Sequence, residues 1–174
     1  MSKKEQGNRY RRKEREYEQK LLDLARVTRV VRGGRRFRFR ATVAIGNKKG
    51  KVGMATAKGA DVSDAISKAF NKAKKTLIFV NIHGDTIAHP VRAKFKSAKV
   101  LLKPARKGRG IVVGGAVRQI IELSGIHDLS AKILGGGGKI NNAAAALKCL
   151  GQLKERKVRV NFKKDANSRI EAKK

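Results

Sequence analysis

Hydrophobic and polar positions alternate through Val27–Gly59, most strictly from Arg36 to Ile45. Phe37, Phe39, Ala41, Val43 and Ile45 fall on one face of an extended chain there. Arg36, Arg38, Arg40 and Thr42 fall on the other. A period of two is the pattern of a strand with one buried and one solvated face. Turn residues punctuate the stretch. RGGR (Arg32–Arg35) supplies two glycines suited to positive φ, and NKKG (Asn47–Gly50) places Asn first and Gly last. The pattern predicts a meander of three strands whose open face and turns are basic.

The period then changes. Val62, Ile66, Ala69, Phe70, Ala73 and Leu77 recur at three- and four-residue steps, which predicts a helix over Asp61–Leu77 packed on the Phe37, Phe39 and Val43 face. Asp61 is placed to cap it, and Asp64 to reach back to the cap. The next segment, IFVNI and HGD, reads as a connector. Val91, Ala93 and Phe95 alternate with Arg92, Lys94 and Lys96, and Val100–Leu102 reads as a buried strand. Further strands are expected at Ile111–Val113 and Ala131–Leu134. Helices are expected from Gly114–Gly115 to Gly125, with Val117, Ile120, Ile121 and Ser124 inward, and from Asn141 to Leu150. The organisation expected is a disordered basic arm at 1–20, helical near Lys13–Leu22, a β-β-β-α domain at 21–82, an α/β domain at 86–153 and a basic tail at 154–174. The fold class is α+β.

Charge decides what such a fold is for. Forty-four Lys and Arg stand against 13 Asp and Glu, a formal charge of +31 in 174 residues. Residues 1–20 carry +4 and residues 154–174 carry +6, so +21 is built into the middle. A surface of one sign marks a ligand for polyanions, and nucleic acid is the favoured partner. With no Trp and 5% aromatic residues, binding by base stacking is a weak hypothesis. Cys149 is alone, so there is no internal disulfide framework, and it reads as a small buried hydrophobe. No apolar run reaches the ~20 residues of a membrane span, and the first twenty residues have no apolar secretory segment. A reducing cytoplasmic location is the default, and an organelle is the alternative.

Candidate chemistry is sparse. Gly135–Gly138 with Lys139 fails as a P-loop, because Ile133 replaces the first glycine and Ile140 the Mg²⁺-binding hydroxyl. A flexible strand-to-helix turn is favoured. In GRGIVVGGAVR (Gly108–Arg118), Gly114 and Gly115 leave backbone N–H groups bare at a helix start, with Lys107, Arg109 and Arg118 close in sequence. That is a candidate phosphate or partner contact. His83, His89 and His127 lack metal-ligand spacing, and the acids form no recognisable acid–base pair. An enzyme, a metal and a cofactor are therefore not expected, nor is a small-molecule substrate or a membrane partner.

Three stretches carry a resemblance: VTRVVRGGRRFRFRATVAIGNKKGKVGMATAKG, DVSDAISKAFNKAKK and HPVRAKFKSAKVLLKPARKGRGIVVGGAVRQIIELSGIHD. In this order they resemble the bacterial-type S5 family of small-subunit ribosomal proteins, over about Leu21–Leu150. The resemblance implies an N-terminal domain similar to double-stranded-RNA-binding domains and a two-layer α/β domain with a left-handed crossover. It implies 16S-type rRNA binding, subunit assembly and decoding fidelity near where mRNA enters, with S4 and S8 as neighbours. Arg32, Gly33, Gly34 and Arg35 match the family's loop toward the subunit neck, near the spectinomycin site. Gly110 and Arg118 match positions at the family's interface with S4, and Gly114 and Gly115 are expected at the same protein interface. GGGGKINN (Gly135–Asn142) departs from the family's Gly-Ser…Asn-Pro pattern, so that loop's contacts are not carried over.

The RNA-binding set expected is Arg29, Arg32, Gly33, Gly34, Arg35, Arg36, Arg38, Arg40, Lys48, Lys49, Lys51, Lys107 and Arg109. RNA duplexes expose backbone and 2′-hydroxyls, so recognition by shape is expected. The alternatives are a free nucleoid-type protein on duplex DNA and, more distantly, a small-molecule kinase.

Overall fold

The computed structural model of the chain describes residues 16–154. Three antiparallel strands come first: β1 (Glu18–Val31), β2 (Gly34–Gly46) and β3 (Lys51–Gly59). Helix α1 (Val62–Lys74) follows, and β4 (Ile78–Phe79) adds a short fourth strand beside β3. β1 begins at Glu18, so the arm ends earlier than expected and Glu18–Leu22 is extended rather than helical. Its pairing with β2 is what the local charge pattern did not reveal. Residues 1–15 of the arm and the tail beyond Lys154 lie outside the described residues.

The second unit contains β5 (Val91–Phe95), β6 (Ala98–Pro104), β7 (Ile111–Val112), α2 (Gly115–Ser124), β8 (Leu129–Ile133) and α3 (Lys139–Gly151). Its sheet order is β5-β6-β8-β7, antiparallel except for the β7/β8 pair. The architecture is α+β in two parts. Gly125 ends α2 in the left-handed region at φ 91°, as the glycine stop predicts. Val117, Ile120, Ile121 and Ser124 are all buried. Cys149 is buried too, and burial pushes its thiol pKa up to about 11.

Two expectations for α1 change. Asp61 stands at the N-cap but makes no side-chain cap bond; its Oδ2 accepts the Ser63 hydroxyl at 2.8 Å. Asp64 accepts from Lys68 Nζ at 2.7 Å, an i,i+4 pair, instead of reaching back. The second change is where the helix sits. Ala69 and Ala73 pack on Val43, Ile45 and Ala55, with Ile66, Phe70 and Leu77 at the margin. Phe37 lies beyond the helix and is 45% exposed.

The other face of β2 changes more. Thr42 was expected to be solvated, yet it is fully buried, and its hydroxyl bonds that of Thr56 at 3.0 Å. Ala44, Val52 and Leu22 join Val117, Ile120, Ile121 and Leu123 in one hydrophobic core. The two units thus share an interior. Backbone seals the seam: Lys48 N donates to Leu123 O at 3.0 Å, and Gly50 N to Ser124 O at 2.9 Å. A Cβ at Gly46 would lie 2.2 Å from Leu123 O, and one at Gly125 would lie 2.1 Å from Lys48 O. Only hydrogen at those two positions lets the chains approach this closely.

Candidate nucleic-acid interface

β1 and β2 are 14 and 13 residues long, and only the inner half of β2 is buried. At ~3.3 Å per residue β2 spans roughly 40 Å. The outer half projects past α1 as a two-stranded ribbon closed by Arg32–Gly33, with Val31 opposite Gly34. Of the two glycines only Gly34 has positive φ, at 141°. No heavy atom lies within 4 Å of where a Cβ at either would stand. The tip is open on all sides.

Register places the cations. Arg29 pairs with Arg36, Val27 with Arg38 and Ala25 with Arg40, so four arginines share one face. Arg35 lies on the opposite face beside Val30, and Arg32 is in the turn. Like charges directly opposite one another in a ladder are destabilising. Arg29 facing Arg36 is therefore an arrangement that an anionic partner relieves. The second face is not empty. Arg26 stacks its guanidinium on Phe37, 3.6 Å from the ring centroid. Strand periodicity misses this contact, because it crosses from one strand to a diagonal neighbour on the next.

The expected set divides. Arg29, Arg32, Gly33, Gly34, Arg35, Arg36 and Arg38 come together at the hairpin's outer half. Arg40 is drawn inward, 3.6 Å from Asp23. Lys48, Lys49 and Lys51 stand at the other end of β2. There Asn47 Oδ1 accepts from Lys49 N and Lys51 N, at 2.8 and 3.0 Å. Lys48 Nζ pairs with Glu18 at 2.7 Å. That turn docks on the C-terminal end of α2, so it is part of the seam; Lys49 keeps its side chain in solvent.

Lys107 and Arg109 lie on a third element, the loop between β6 and β7. Gly108 and Gly110 both have positive φ, at 83° and 74°. Asp128, 5% exposed, holds the loop from beneath: Oδ2 accepts from Gly108 N at 3.0 Å and Oδ1 from Gly110 N at 2.7 Å. These bonds lower its carboxyl pKa below the usual carboxylate value. The sequence offered no sign of this role, because 18 and 20 residues separate the partners. A carboxylate with a lowered folded pKa stabilises above its unfolded pKa, and that stabilisation is lost as pH falls through the folded value. Asp128→Asn is expected to flatten the acid limb of a stability–pH curve below about pH 4. A variant curve parallel to the parent's in denaturant titrations from pH 2 to 6 would exclude the bracket.

Gly114 caps α2, and Gly115 opens it without a side-chain cap. Arg118 Nε pairs with Glu122 Oε1 at 2.8 Å, and Glu122 also accepts from Lys20 Nζ across the seam. These partners lower the Glu122 pKa, Lys20 first. Arg118 therefore serves the seam through Glu122 while remaining more than half exposed. The Gly135–Gly138 turn is not a loose connector as expected. Gly135 would place a Cβ 2.4 Å from Ser97 O, and Gly136 N donates to Ser97 O at 3.1 Å. Close backbone packing explains the first glycine.

Residues 17–81 match the family described as ribosomal protein S5, N-terminal domain, and residues 93–163 match its C-terminal domain. The chain belongs to the ribosomal protein S5 family. Small ribosomal subunit protein uS5 from Campylobacter jejuni strains 81-176, 81116 and RM1221 is 47% identical over 139 residues. Those residues are 80% of this chain and 95% of each relative. The S5 family is one of structural ribosomal proteins, not enzymes. Among the described residues no cluster of three or more His, Cys, Asp or Glu could hold a metal, and no helix is long and apolar enough to cross a membrane.

Proposed function

We propose that this chain is a structural constituent of the small ribosomal subunit, located there in the cytoplasm, and that it binds 16S-type rRNA through the outer β1–β2 hairpin. The observation that carries the reading is the juxtaposition of Arg29, Arg36 and Arg38 on one face with Arg32 at the open tip. Strand register fixes the backbone spacing of these arginines before binding, so only side-chain rotamers remain to be ordered on a phosphate backbone. Lys107 and Arg109 form a second, smaller contact on a loop pinned by Asp128. Membership of the S5 family supports both, and it supports a place beside S4 and S8, close to where mRNA enters. The Gly110, Gly114, Gly115 and Arg118 side faces S4, and through it the chain influences decoding accuracy; the units proposed are the hairpin domain to residue 82 and the α/β domain at 86–153.

Sedimentation tests the reading. A lysate is resolved on sucrose gradients at moderate and then high salt, and the chain is followed by antibody. Retention in the small-subunit peak at high salt is expected, because shape-fitted contacts survive conditions that strip loosely bound cationic proteins. Early loss into a smear across nucleic-acid fractions would replace the reading with free duplex binding.

A further inference from the structure

The hairpin and the β6–β7 loop leave one polar feature unused. α2 and α3 begin beside one another, and Leu22, Gly115, Gln119, Ile133, Lys139 and Asn142 line a cleft of about 280 Å³ between them. Neither helix has a side-chain N-cap bond. First-turn N–H groups have no partner within their own helix, and they carry the positive end of its dipole. Helix starts alone do not make a site. Here a second observation lies inside the cleft. Asn142 is 3% exposed, and its Oδ1 has no hydrogen-bond partner among the described residues. Gln119 Oε1, also buried, has none either. Buried amide oxygens are ordinarily bonded, so two in one cleft, one from each helix, call for a donor. A cleft of about 280 Å³ is far larger than one bridging water needs.

The chemistry required is therefore mixed. The helix starts and Lys139 Nζ offer donors and positive charge, whereas Asn142 and Gln119 offer acceptors. A fully ionised phosphate satisfies the first half only. A sugar phosphate with a free hydroxyl satisfies both. We propose that this cleft takes one ribose-phosphate unit of RNA. Phosphate oxygens accept from the N–H groups opening α2 and α3 and from Lys139, and the 2′-hydroxyl donates to Asn142 Oδ1 or Gln119 Oε1. The proposal rests on RNA being the partner class, and it adds a ribose-sensing contact away from the arginine tip.

The test is a site-resolved titration of the full ¹⁵N-labelled chain by NMR at about 0.15 M salt. The probes are tetrauridylate, its 2′-deoxy counterpart, inorganic phosphate and a short polyglutamate. The amides of Gly115, Ala116, Lys139 and Ile140 are expected to shift saturably with the ribo-oligonucleotide. One lost hydroxyl bond makes the deoxy probe about fivefold weaker. Asn142→Asp is expected to weaken the cleft response at least about tenfold, a buried like charge being strongly unfavourable beside phosphate, while shifts at Gly33 and Gly34 persist. Lys139→Ala, at an exposed position, gives a smaller loss and serves if the first variant does not fold. Equal response to ribo and deoxy probes, shifts confined to the tip, or saturation by polyglutamate with equal strength would each overturn the proposal. Silent cleft amides in a chain that still sediments with the small subunit would end this inference alone. Failure to sediment would end the proposed function whatever the cleft does.

Discussion

Gly125→Ala is expected to cost about 3–4 kcal/mol of unfolding free energy. A non-glycine residue in the left-handed region costs roughly 1–2 kcal/mol. The larger effect is steric. The new Cβ would stand 2.1 Å from the Lys48 carbonyl oxygen, a backbone atom that cannot rotate aside. The β2–β3 turn must back away from α2, and both seam bonds, Lys48 N to Leu123 O and Gly50 N to Ser124 O, stretch or break. Each is worth about 1 kcal/mol. Gly33→Ala is the control: that position has open space and no positive φ, so its cost should stay within about 0.5 kcal/mol. Urea titration of both variants checks the expectation. Equal midpoints would mean that the seam contributes nothing, and a broad two-step transition in Gly125→Ala would show that the two units had become independent.

The second large effect is on RNA affinity. Replacing Arg32, Arg35, Arg36 and Arg38 together with alanine should weaken binding to a small-subunit rRNA transcript by about 10²–10³-fold at 0.15 M salt. Each phosphate neutralised contributes roughly 0.9 to the slope of log K against log salt, so the slope should fall by about 3–4. All four side chains are exposed and none packs in either core, so folding should be little changed. Lys48→Ala, at the docked end of β2, should move the slope by well under one, because its ammonium is already paired with Glu18. Filter binding over a salt series reads both numbers. An unchanged slope in the fourfold variant would move the interface away from the hairpin.

Local patterning carried much of this molecule. The period-two run through Arg36–Ile45 identifies β2, the three- and four-residue steps from Val62 identify α1, and Gly125 marks the end of α2. Periodicity could not tell that Thr42 and Phe37 exchange the environments expected of them. Thr42 is buried on the face of β2 where Ala44 joins the core shared with α2, more than 70 residues away in sequence, and Phe37 is exposed because α1 is shorter than the strand it covers. The arginines were legible as a basic set. Their division into a free tip and a docked base was not, because that depends on which end of β2 meets α2. Asp128 was invisible for a related reason: a bracket between a carboxylate and two amides leaves no periodic trace.

A joint made of main-chain contacts, with glycine on both sides, has little freedom to swing. The base of the hairpin and the second sheet that carries the β6–β7 loop are therefore held at a set separation before any partner arrives. Once one of them engages a folded surface, the other is delivered to its own contact without a search, and the entropy of bringing them together has been settled during folding. On the rRNA-binding function proposed above, the same fixed spacing makes the chain a gauge. A partner whose two contact points are out of register by a few ångströms can satisfy one end only, so correct geometry in the partner is read as a gain in residence time.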